Sequence, residues 1–149
     1  MASVAATIKT MLVEKIDALP SVQVTYKHEE LNPSGFPAVC VLATGQDGEF
    51  ASTSENRRIY SYRVSVLFPI GQDLEGAAGN RLDNAEDVVA TVIDQIIGAI
   101  DDDFTLDGTP VLFTDAVDSD YMYTKLETGW AKTAVCTVRV HTDYILPNS

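Results

Sequence analysis

Apolar side chains recur at helical spacing in two stretches of this chain and alternate with polar ones in most others. Val4, Ile8, Met11, Leu12, Ile16 and Leu19 share one face of a helix, with Lys9, Glu14, Lys15 and Asp17 opposite. Ser3 is placed to cap its start, and Pro20 stops it by pushing residue 19 out of helical geometry. The pattern predicts a first helix over residues 3–19. Val22 to Tyr26 alternates as a short strand, and residues 28–35 carry turn chemistry. Phe36 to Thr44 reads as a more buried strand, with Pro37 tolerable only at its beginning.

Gln46 to Asn56 is polar, contains Gly48, and has Phe50 as its apolar anchor, so it reads as a long loop of the kind used for binding. From Arg57 to Phe68 the period is two: Tyr60, Tyr62, Val64, Val66 and Phe68 on one face, Ile59, Ser61, Arg63, Ser65 and Leu67 on the other. The second helix carries the strongest periodicity, a stripe from Leu82 through Ala85, Val89, Val92, Ile93 and Ile96 to Ile100. Asn80 is its expected cap, with Asp83, Glu86 and Asp87 in the first turns. Its many β-branched residues lower intrinsic helix propensity, so packing must hold it. Asp107-Gly108-Thr109-Pro110 is a turn. Val111 to Leu126 is extended, as one segment or as two interrupted near Asp115 to Asp120. Glu127-Thr128-Gly129 turns the chain into a final strand, Trp130 to Tyr144. The whole predicts a single α+β domain over residues 1–149, a mainly antiparallel sheet with two helices packed on it, in the order α-β-β-β-α-β-β.

Composition narrows this reading only slightly. With 149 residues the chain can bury one real core. No apolar run approaches the roughly 20 residues that cross a bilayer, and the start lacks the pattern of a secretory signal, so synthesis inside the cell is expected. Cys40 and Cys136 each sit in an alternating apolar segment. Two core thiols are expected, with pairing across the sheet as the alternative.

Charge is more informative because it is uneven. Residues 73–120 hold thirteen Asp or Glu and one basic residue, Arg81, which gives −12; the remainder balances at nine against nine. A field of one sign repels nucleic-acid phosphates. A solvated acidic face, a surface that must meet DNA without adhering, and a saline habitat all fit, although the last should spread acidity over the whole surface.

Candidate chemistry is sparse. His28-Glu29-Glu30 and the pair His141 and Asp143 lack the spacing and the third ligand of a metal site. Asp101-Asp102-Asp103 lacks the spaced ligands and central glycine of a calcium loop. Gly71, Gly76 and Gly79 surround the start of the second helix, but no Gly-Lys-Ser/Thr follows and Asp73 and Glu75 would repel a phosphate. Ser52, Thr53 and Ser54 have no paired histidine. Tyr60, Tyr62, Tyr121 and Tyr123, interleaved with Arg57, Arg58 and Arg63, could stack bases, but alternation and overall charge favour a packed sheet or a protein interface. No catalytic residue, metal or cofactor is expected.

Several stretches resemble the tail terminator, or tail completion, proteins of long-tailed bacteriophages. They are the helix ending at Leu19-Pro20, the strand Phe36-Pro37-Ala38-Val39, Arg58 to Val66, the helix Ala85 to Ile100, and Leu126-Glu127-Thr128-Gly129-Trp130 leading into Val135 to Val140. The resemblance is one of pattern and covers nearly the whole chain. It implies a structural virion protein at the tail–neck junction, assembled in the host cytoplasm, whose subunits form a six-fold ring. Such a ring caps the tail tube, ends its polymerisation and joins it to the head–tail connector protein. The implied partners are further copies of the chain, the tail tube protein and the connector. DNA passes through without specific binding, and no membrane is involved. Phe50, Arg57, Arg58 and Arg63 are the expected subunit or tube contacts, and Asp101, Asp102, Asp103, Asp118 and Asp120 the expected acidic lining of the channel. The alternatives are another neck or head-closure component, and a small-ligand-binding α+β domain.

Overall fold

A computed structural model describes residues 4–50, 55–71, 79–102, 111–127 and 129–145. The chain runs α1 (Val4–Asp17), β1 (Val24–Tyr26), β2 (Ala38–Phe50), β3 (Glu55–Gly71), α2 (Gly79–Asp102), β4 (Val111–Leu126) and β5 (Gly129–Ile145). This is the expected α+β order. The strands form one sheet in the order β1-β2-β3-β5-β4, so the last strand enters between β3 and β4. All pairings are antiparallel except β1 with β2.

Period-two alternation sorts the sheet into two faces. Val39 and Val41, then Tyr60, Tyr62, Val64 and Val66, then Ala134, Cys136, Val138 and Val140 all point to one side and are buried. Both helices cover that side. Helix α1 contributes Ile8, Leu12 and Ile16, and α2 contributes Val89, Val92, Ile93, Ile96 and Ile100. The Tyr62 hydroxyl donates to the Ala5 carbonyl at 2.7 Å, tying the first turns of α1 to the central strand. Helix α2 begins at Gly79, one residue ahead of Asn80, so Asp83 falls just past the first turn rather than within it.

The opposite face is only partly covered. A small cluster of Ala38, Cys40, Leu67, Leu126 and Ala131 is closed by Val24, Tyr26 and Phe36 at one end of the sheet. The segment from residue 27 to 36 folds back over this end. Its Leu31 carbonyl accepts from the Glu127 amide at 3.0 Å, and the Tyr26 hydroxyl accepts from the Ser34 amide at 2.9 Å. The Phe36–Pro37 peptide is cis, directly before β2 begins. Gly129 has φ 146°, a left-handed value that an L side chain rarely adopts, and it turns β4 into β5.

One expectation changes, and one open alternative is resolved. The loop expected over Gln46 to Asn56 is largely strand: β2 continues to Phe50 and β3 starts at Glu55, paired as Phe50 with Asn56. Backbone hydrogen bonding does not need apolar side chains, and here the ladder continues into β5, where Glu55 pairs with Ile145. The extended segment from Val111 to Leu126 is one strand, with register shifts at Val111/Phe113 and Val117/Ser119 in place of a break.

Candidate functional site

Three surface features carry the functional side chains. The first is an arm. Past Val41, β2 is exposed at Ala43, Thr44 and Gly45 while β3 and β5 stay buried beside it as far as Tyr60 and Thr142; the hairpin with β3 then continues to Phe50 and Glu55 with β5 alongside. Of the expected contact residues, Phe50 and Arg57 take backbone positions at the far end of this arm; their side chains lie outside the described residues. Arg58 is half-buried, and its carbonyl accepts from the Thr142 hydroxyl at 3.1 Å. Arg63 is exposed on the open face. Five steps along the strand separate Arg58 from Arg63, roughly 17 Å at strand rise. The arginines therefore do not form one cluster.

The expected acidic lining is also divided. Asp101 is exposed and, with Asp102, ends α2. Asp120 is exposed on β4, where its carboxylate accepts from the Tyr121 amide at 3.0 Å. Its register partner Val135 lines the open face, the side away from α2. Asp118 has a backbone position in β4, and Asp103 lies outside the described residues.

The second feature is a cavity of about 240 Å³ on the open face, beneath the segment that folds back. Cys40, Ser65 and Thr133 line it together with Leu42, Leu67 and Val135, and Glu29, Glu30 and Arg63 also contribute. Leu31 and Met122, both exposed, line it as well. The hydroxyls of Thr124 and Thr133 are hydrogen-bonded at 2.7 Å. Sequence reading missed this cavity because five separated segments build it. Burial raises the Cys40 thiol pKa above its usual value and Glu29 and Glu30 add to this, outweighing the lowering by the Glu30 backbone N–H and Arg63. A thiol held in its neutral form is a poor nucleophile.

The third feature is the outer edge of β4. Tyr121, Met122 and Tyr123 are consecutive and exposed at 41, 43 and 45%. Tyr60 and Tyr62, grouped with them on sequence grounds, are buried in the core instead. The Lys132 ammonium lies 4.5 Å from the Tyr123 ring centroid, 5.8 Å from that of Tyr121 and 3.9 Å from the Glu86 carboxylate. This lysine links the edge strand to α2.

Cys40 and Cys136 are free, buried thiols on opposite faces of the sheet. Burial pushes Cys136 up to about 12 from the ordinary 9.0 and raises Tyr62 as well. These groups are neutral in the fold, so their contribution is intact below their unfolded values and is lost as pH rises toward the folded ones. Stability should therefore decline from about pH 9 upward, at up to about 1.4 kcal/mol per pH unit for each such group. Urea midpoints measured from pH 7 to 11 check this, and a flat profile would contradict it.

Among the described residues, no group of three or more His, Cys, Asp or Glu is placed to hold a metal, and no helix is long and apolar enough to cross a membrane. No protein-family model matches the chain, and no curated protein matches it.

Proposed function

We propose that this chain is a structural subunit of a phage tail terminator, assembling as a ring that caps the tail tube and faces the head connector. The observation that carries the reading is the arm. A three-stranded ladder of β2, β3 and β5 continues beyond Tyr60 and Thr142, the last buried residues described on β3 and β5 in that direction, to Phe50, Glu55 and Ile145. An extension held by backbone hydrogen bonds is stiff enough to reach a neighbouring subunit or tube ring and still register against it. The element order supports the same reading, as does the acidic segment: six copies would bring its charge of −12 near −72, which disfavours adhesion of passing DNA. Arg57, Arg58 and Arg63 are proposed to meet acidic residues of the neighbour or the tube.

The test is electron microscopy of tail tubes polymerising with and without the protein. Caps at one tube end and arrested elongation are expected. Replacing residues 49–57 by Asn-Gly rejoins the ladder at Gly48 and Arg58, a registered pair, and removes Phe50 and Arg57. This variant should fold yet leave the tubes uncapped. Tubes that elongate equally with and without the wild-type protein would defeat the proposal.

The cavity on the open face favours a second reading, a small-ligand domain. At about 240 Å³ it lies below the roughly 300–1,000 Å³ of pockets that enclose drug-sized ligands. Its size suits one side chain better than a metabolite, which leaves the assembly reading ahead.

A further inference from the structure

Strand β4 ends the sheet, and its two halves differ as edges. The first half carries Asp115 and Asp118, and its ladder to β5 shifts register twice. Acidic side chains and irregular pairing discourage a second strand from adding there. From Ser119 to Leu126 the ladder is regular, and Tyr121, Met122 and Tyr123 stand exposed at its centre. Leu31 is the other large apolar residue exposed to this degree among the described residues.

We propose that this regular half is the contact surface of a twofold dimer, β4 of one copy pairing antiparallel with β4 of a second about an axis through Met122. The sequence here is self-complementary under that operation. An axis normal to the sheet keeps both faces in place, so residues opposite one another must have equal parity. Centred on Met122, the pairing sets Tyr121 against Tyr123 twice, on the helix-covered face. Met122 meets Met122 on the open face, and Asp120 meets Thr124. Lys125 falls opposite Ser119, level with the acidic stretch Asp118 to Asp120 of the second copy. No like charges are opposed between Ser119 and Lys125, and aromatic cross-strand pairs are among the stabilising ones.

The opposite edge of the sheet is the competing occupant. Its open part, β2 past Val41, exposes only Ala43, Thr44 and Gly45 over its described side chains, with nothing of size to cover the tyrosines. The same-edge pairing is therefore the better fit. It stands apart from the ring reading and is tested without tubes.

The experiment combines sedimentation velocity with disulfide trapping. Wild-type protein should sediment as a dimer. Tyr121→Lys with Tyr123→Lys should weaken it by about tenfold or more, through loss of both aromatic pairs and the addition of like charges. In the Met122→Cys variant made on a Cys40→Ala background, which removes the thiol lining the same cavity as residue 122, mild oxidation should give a covalent dimer, because residue 122 meets itself; Cys136 is buried on the opposite face. The Ala43→Cys variant should give none. A wild-type chain that remains monomeric at its highest soluble concentration overturns the proposal. So does preferential linkage of Ala43→Cys chains to Met122→Cys chains in a mixture, which would reveal head-to-tail pairing. Should the double lysine variant fail to fold, the cysteine pair still decides.

Discussion

Ile96→Asp is expected to unfold this protein. Ile96 is fully buried on α2 and faces the centre of the sheet, within the cluster that includes Tyr62, Val64 and Val138. The substitution removes about 1.5–3 kcal/mol of apolar burial. It also places a carboxylate where nothing among the described residues is set to pair with it, at a further cost of several kcal/mol. The total is comparable with the roughly 5–15 kcal/mol that holds an ordinary domain together. Helix α2 has little reserve of its own, since Val88, Val89, Val92, Ile93, Ile96, Ile97 and Ile100 are all β-branched. Detached from the sheet, it should not persist as a helix. Circular dichroism with thermal scanning checks the outcome, with Thr91→Asp as a control on the exposed side of the same helix. The control should stay within about 0.5 kcal/mol of wild type. A cooperative transition retained by Ile96→Asp near the wild-type temperature would show that α2 does not depend on this contact.

Tyr62→Ala should cost about 3–5 kcal/mol, the range for a large aromatic removed from a core. Tyr62 is fully buried in the central strand β3, and its hydroxyl reaches Ala5 on α1. Two contributions are combined there, and Tyr62→Phe separates them. The phenylalanine keeps the ring and loses the hydrogen bond, for about 0.5–1.5 kcal/mol. The smaller figure has a structural reason: the Ala5 carbonyl lies in the first turn of α1, where the helix ladder also uses it. Urea unfolding of the three proteins gives both differences. If Phe costs as much as Ala, the hydroxyl dominates and the packing argument is wrong.

What could be read from the sequence followed the strength of its periodicities. The α2 stripe and the faces of β3 and β5 were legible because each residue there has a clear inside and outside. The far part of β2 was not. From Gln46 to Phe50 it lies beyond the exposed residues Ala43 to Gly45, so pairing with β3 holds it and no alternation records it. The cavity was illegible for another reason: Glu29 to Leu31, Arg63 and Met122 are distant in the chain and meet only after residues 27–36 fold over the open face. The candidate arginines and aspartates were grouped by charge, whereas strand parity and the sheet itself separate Asp101 from Asp120.

The strand order has a consequence for synthesis. Strand β5 leaves the ribosome after β4 yet lies between β4 and β3. Until it emerges, β4 has no hydrogen-bonding neighbour and α2 covers an unfinished layer. The nascent polypeptide can build α1, β1 and the hairpin of β2 with β3 early, but its second half must wait and then close in one late step.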